Sequence, residues 1–145
     1  MIKITAELIL ELNLVHAFFG RFGVLIPLLG LFFEIGALIS HKDILFKFSG
    51  YLVILGSILA LLAGFTGFIE YNYLKAASEN INRFSFHIVT GTLLTGLFLL
   101  ILALRSYLLV RDNERIATVY IFLYLTTVIT NLISNEIIIH TLRGE

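Results

Sequence analysis

Four long apolar runs divide this chain, approximately Leu14–Ser40, Phe46–Tyr73, Phe84–Leu109 and Ile116–His140. A bilayer's hydrocarbon core is about 30 Å thick and takes about 20 largely apolar residues to cross as helix. Each run is long enough. The connections, His41–Leu45, Leu74–Arg83 and Val110–Arg115, are short enough to force antiparallel neighbours. The pattern predicts an all-α membrane protein, an up-down four-helix transmembrane bundle forming one domain over residues 1–145. Pro27 falls inside the first run, which a membrane helix tolerates when neighbouring groups satisfy the carbonyl that proline frees.

Composition agrees and removes several alternatives. Hydrophobic residues make up 59% of the 145 and charged ones 14%, against about 25% charged in soluble domains. The formal charge is zero, and no basic patch argues for nucleic acid. There is no cysteine, so disulfides, iron–sulfur ligation and covalent c-type haem attachment are excluded within the chain. No nucleophile elbow or glycine-rich phosphate loop is present. Residues 1–13 alternate Ile2, Ile4, Leu8, Ile9 and Leu12 with Lys3, Glu7 and Glu11. That pattern fits either an interfacial lead-in or an extension of the first span, and not a cleaved signal peptide.

Lys and Arg near the span ends set the expected orientation. One side carries Lys42, Lys47, Arg105, Arg111 and Arg115, and the other Lys3, Lys75, Arg83 and Arg143. The excess of one places both termini outside the cytoplasm.

An up-down bundle gathers the start of spans one and three and the end of spans two and four at one face. His16, Glu70, His87, Glu136 and His140 come together there, while His41 lies in a solvated turn beside Lys42 and Asp43. His16 and His87 each sit about one helical turn inside their spans. Each is followed four residues on by glycine, Gly20 and Gly91. Residues four apart share a helix face, so each glycine leaves bare backbone beside an imidazole, where a flat ligand can lie. Histidines on two facing helices can supply both axial ligands of a six-coordinate haem. Here the haem b would be non-covalent, with His16 and His87 ligating the iron and His140 as the alternative ligand. Arg21 could reach a haem propionate, pair with Glu70 or Glu136, or snorkel to the interface. Glu70 and Glu136 could hydrogen-bond the second nitrogen of a ligating histidine. Glu34, also inside the first span, needs a partner. Gly23, Gly30, Gly64, Gly67 and Gly96 suit close helix packing as well as a cofactor slot. The phenylalanines, Phe18, Phe19, Phe32, Phe33, Phe65, Phe68 and Phe98, suit lipid contact or packing.

Val15-His16 leading to Pro27, the Gly56–Gly67 stretch Gly-Ser-Ile-Leu-Ala-Leu-Leu-Ala-Gly-Phe-Thr-Gly, His87, and the closing Asn135-Glu136-Ile137-Ile138-Ile139-His140 together resemble the DUF2231 family of four-helix membrane proteins. The likeness covers nearly the whole chain. It departs at Phe18, where the family usually has proline, and at Ser134-Asn135, where it has a glycine pair. The resemblance implies a four-helix fold and, because relatives occur joined to Rieske-type modules, a redox setting.

Two function classes follow. One is a b-type cytochrome or cytochrome subunit in a bacterial or archaeal plasma membrane, passing electrons between a quinone pool and an outside-facing carrier or other redox-complex subunit. The other is a cofactor-free structural or assembly subunit of a larger membrane complex. A transporter is less favoured, lacking paired broken helices in two halves, although a homo-oligomer of four-helix units could build a path.

Overall fold

The computed structural model describes the backbone of residues 2–76 and 85–143 and the side chains of residues 11–76 and 85–137. Among these there are four helices: α1 (Ile2–Ser40), α2 (Asp43–Ala76), α3 (Ser85–Leu108) and α4 (Glu114–Arg143). All four are long and apolar enough to cross a membrane, with mean hydropathies between 1.9 and 2.4 over their most apolar windows. Even α3, at 24 residues, extends about 36 Å at the rise of an α-helix. Sequential helices pack side by side, and α4 returns to α1 to close the bundle.

Local signals explain the turns. His41 takes a left-handed backbone (φ 53°) and donates its N–H to Ala37 O at 3.0 Å, the bond that closes a helix when the residue after its cap turns left-handed. Glycine usually fills that position, and here a histidine bears the strain. At α4, Asn113 Oδ1 accepts from Ile116 N at 3.1 Å, an N-cap that satisfies one of the helix's orphan donors. Within α1 the helix runs unbroken from Ile2, without an interruption at the boundary between residues 13 and 14.

α1 and α2 pack most extensively, because small residues let their backbones approach. Proceeding from one end, His16 lies against Gly67, Gly23 against Ala60, Pro27 against Gly56, and Gly30 against Val53. A Cβ at Gly23 would sit 3.1 Å from the Ala60 Cα, and one at Gly56 would sit 2.8 Å from the Pro27 ring. Pro27 has no N–H to offer residue 23, and the carbonyl so freed receives a bond from Asn131 Nδ2 of α4 at 3.0 Å. Tyr124, also on α4, donates its hydroxyl to Pro27 O at 2.5 Å.

These contacts belong to a stripe. Tyr120, Tyr124, Thr127, Asn131 and Ser134 follow one another at spacings of four and three along α4, which keeps them on one helix face. Four of the five are buried, Asn131 being half-buried. Outside the bundle the reverse holds: Phe18, Phe32, Phe65, Phe68, Val89 and Phe122 are all exposed. Among the described phenylalanines only Phe98 is fully buried, in a core with Val53, Ile101 and Val128. Polar groups inside and apolar ones outside suit a solvent of lipid, where an unsatisfied polar group is costly.

Arg105 changes the orientation argument. Its side chain is fully buried, with Nε 2.7 Å from Glu34 Oε1, so it is the partner that Glu34 requires and not a charge at the membrane surface. Of the nine span-end Lys and Arg residues counted above, the other eight divide four to four, and they favour neither orientation.

Candidate functional site

The histidines of α1 and α3 meet across the bundle. Their ring centroids are 6.1 Å apart, with the ring planes inclined at 58°. Both residues are half-buried. His16 is held closely by α2: its Nδ1 lies 3.0 Å from Ala63 O and 3.3 Å from Thr66 Oγ1. Its ring rests on Gly67, where a Cβ would come within 2.8 Å of Cε1. Glu70, one turn further along α2, interacts electrostatically with His16. His87 is different. Its Nδ1 is buried without a hydrogen-bond partner among the described residues, although a buried polar atom ordinarily has one. One turn inward from His87, Thr90 Oγ1 lies 2.9 Å from Ser134 Oγ and ties α3 to α4.

The glycines predicted to flank the imidazoles are open. A Cβ at Gly20 or at Gly91 would meet nothing within 4 Å, and Gly96 is likewise open. Gly23, Gly30 and Gly64 instead serve packing, against Ala60, against Tyr124 and Val53, and against Thr95. Arg21 is exposed and forms no ion pair among the described residues. Glu136 is exposed, and the side chain of His140 lies outside the described residues.

A second polar cluster occupies the end of the bundle near the α1–α2 turn. Besides its ion pair with Glu34, Arg105 donates from Nη2 to Phe46 O at 2.6 Å and to Ser49 Oγ at 3.3 Å. Its guanidinium lies 4.1 Å from the centroid of the Phe46 ring. Tyr120 donates to the same Glu34 oxygen at 3.0 Å, so all four helices converge on one buried pair. Gly50 makes room for it, since a Cβ there would touch the guanidinium at 2.8 Å.

Several of these partners were not read from the sequence. In sequence Arg105 groups with the loop charges Arg111 and Arg115, yet it shares a face and a depth with Glu34 once α1 and α3 run parallel. Thr66 and Gly67 stood in plain view in the glycine-rich end of α2. The antiparallel register fixed by Pro27 on Gly56 would have carried His16 to Gly67.

Among the described residues no three His, Cys, Asp or Glu side chains are grouped to hold a metal ion. Neither curated proteins nor solved structures provide a match to this chain. The family model described as "Predicted membrane protein (DUF2231)" matches residues 13–136. That match reaches into all four candidate membrane helices and includes both histidines of the facing pair, and the chain belongs to the DUF2231 family.

Proposed function

We propose that this membrane protein is a b-type cytochrome, or the cytochrome subunit of a larger redox complex, in which His16 and His87 hold one haem between α1 and α3. The observation that carries the reading is the facing of two imidazoles at 6.1 Å between centroids. Two metal–nitrogen bonds of about 2 Å each, the length imidazole makes to zinc, together with the radii of two rings come to roughly the same separation. Two further features support haem over a bare ion. A porphyrin brings four nitrogens of its own, so two protein ligands suffice, whereas an isolated metal ion asks for three or four. At Gly20 and Gly91, four residues along from the two histidines, a Cβ would meet nothing within 4 Å, so no side chain crowds the backbone there. The unpartnered Nδ1 of His87 is a buried polar atom with capacity for a ligand.

When bound, the haem would supply one-electron chemistry between a membrane quinone pool and a carrier or subunit at the histidine face. The chain's own residues would hold it and limit access. Two histidine ligands leave no open coordination position, which suits electron transfer. Glu70 lies beside His16 and would counter positive charge at the site.

The test is the visible spectrum of protein expressed with haem available. A sharp reduced α-band is expected, with the haem-to-protein ratio collapsing in His16→Ala and in His87→Ala. A colourless preparation that takes up no haem would leave a cofactor-free structural or assembly subunit as the reading of this bundle.

A further inference from the structure

We infer that the turn Ala63–Gly67 of α2 is a seat that fixes the tautomer and tilt of His16, with Thr66 and Gly67 as positioning residues. The argument begins with which atoms can donate. The Ala63 carbonyl, 3.0 Å from His16 Nδ1, can only accept. Thr66 Oγ1, 3.3 Å from the same nitrogen, already gives its hydrogen to its own helix, at Leu62 O (2.8 Å) or Ala63 O (3.1 Å). Its oxygen therefore also accepts. With two acceptors against it, Nδ1 carries the ring proton, and the lone pair of the neutral imidazole is confined to Nε2. The tautomer of a histidine ligand is ordinarily set by the bond its other nitrogen makes.

Shape completes the seat. The ring lies over Gly67, where a Cβ would approach Cε1 to 2.8 Å, Nδ1 to 3.2 Å and Nε2 to 3.4 Å. All three atoms are close to one point, so the ring rests on the glycine along its edge from Nδ1 through Cε1 to Nε2. Any side chain at residue 67 would push that edge away and lengthen the bond to Ala63. Within Ala-Gly-Phe-Thr-Gly, three side-chain choices follow from the packing: Gly64 admits Thr95, Thr66 accepts from the ring, and Gly67 leaves it space.

The seat stands on geometry alone, and its consequence for a bound haem rests on the reading proposed above. Two measurements keep the two apart. In haem-free protein labelled with 15N-histidine, His16 is expected as the Nδ1–H tautomer, which is the minor one for free imidazole side chains in water. Thr66→Val should raise the Nε2–H population, and Gly67→Ala should raise it further, while Thr66→Ser should leave it as in the parent. Finding His16 of the parent protein as the Nε2–H tautomer overturns the seat whether or not haem binds. In haem-loaded protein, donation from Nδ1–H makes the ligand more basic and favours the oxidised iron. Thr66→Val is then expected to raise the midpoint potential with haem content unchanged, and Thr66→Ser to restore it. An unshifted potential in Thr66→Val with full haem overturns the role of Thr66.

Discussion

The two polar ends of the bundle interior are built on opposite plans. Near the α1–α2 turn, charges of opposite sign are buried together and bonded from every side: Glu34 receives Tyr120 and Arg105, and Arg105 also reaches Phe46 O and Ser49. Of the guanidinium nitrogens, Nη2 is hydrogen-bonded, Nε is held by the ion pair with Glu34 alone, and Nη1 has no partner among the described residues, while the Phe46 ring lies close to the guanidinium centre. At the histidine end, one imidazole is seated on α2 and the other keeps a buried Nδ1 without a partner among the described residues, and a Cβ at Gly20 or Gly91 would meet nothing within 4 Å. A cluster whose bonds are nearly all made has little left to offer a ligand and much to offer the fold. At the histidine end no opposite charge compensates the unpaired Nδ1, which belongs to an imidazole facing a second one, and that arrangement keeps capacity for a ligand.

The comparison predicts unequal costs, and the largest belongs to the ion pair. Arg105→Leu or Glu34→Leu should each destabilise the protein by about 3–5 kcal/mol, because the partner is left as a buried, uncompensated charge. The double replacement should recover most of that loss. Thermal unfolding in detergent checks both, and a single variant as stable as the parent would remove the distinction between the two ends. His16→Ala should cost far less, about 1 kcal/mol for the lost interhelical bond, while abolishing haem uptake. Equal instability in His16→Ala and Arg105→Leu would mean that the histidine end is structural as well.

A smaller effect sharpens the comparison in mid-membrane. Asn131→Leu should cost about 0.6–1.7 kcal/mol, the range of interhelical hydrogen bonds in membranes, because the carbonyl of Gly23 is left unsatisfied. In a Pro27→Ala background the same change should be close to neutral, since the helix then supplies its own donor. A double-mutant cycle measures the difference, and an unchanged cost in that background would show that Asn131 does something other than satisfy the proline-freed carbonyl. The smallest effect on stability is expected for Gly91→Leu, within about 0.5 kcal/mol as for substitutions away from packed features, because a Cβ there meets nothing. Its haem-to-protein ratio should nevertheless fall, since leucine would occupy the space beside His87. Retention of full haem in Gly91→Leu would separate the open glycine from the site.

Much of this arrangement was legible from the amino acids. Four apolar runs dictate four spans, and the topology brings His16 and His87 to one end at one depth. The direction each glycine faces was not legible. Gly20 and Gly23 are three residues apart, yet one opens outward and the other meets Ala60, and a residue without a side chain carries no pattern to tell them apart. Arg105 was hidden by its position near a helix end, where counting it with the loop charges of its neighbours Arg111 and Arg115 conceals a buried pair. The stripe on α4 was hidden because tyrosine, threonine and asparagine at helical spacing read as a polar outer face in a soluble protein, and only lipid outside makes that face the inner one.

That stripe bears on the order in which the protein is made. α4 is the least apolar of the four candidate spans, with a mean hydropathy of 1.9, and its hydroxyl and amide groups would meet hydrocarbon if the helix entered the bilayer alone. Three of its partners, the carbonyls of Gly23 and Pro27 and the carboxylate of Glu34, lie on α1, which is made before the other three spans. α1 and α4 are thus joined by bonds that satisfy polar groups of the later helix. A chain whose α1 has failed to enter the membrane would deliver an α4 with nowhere to place its polar side.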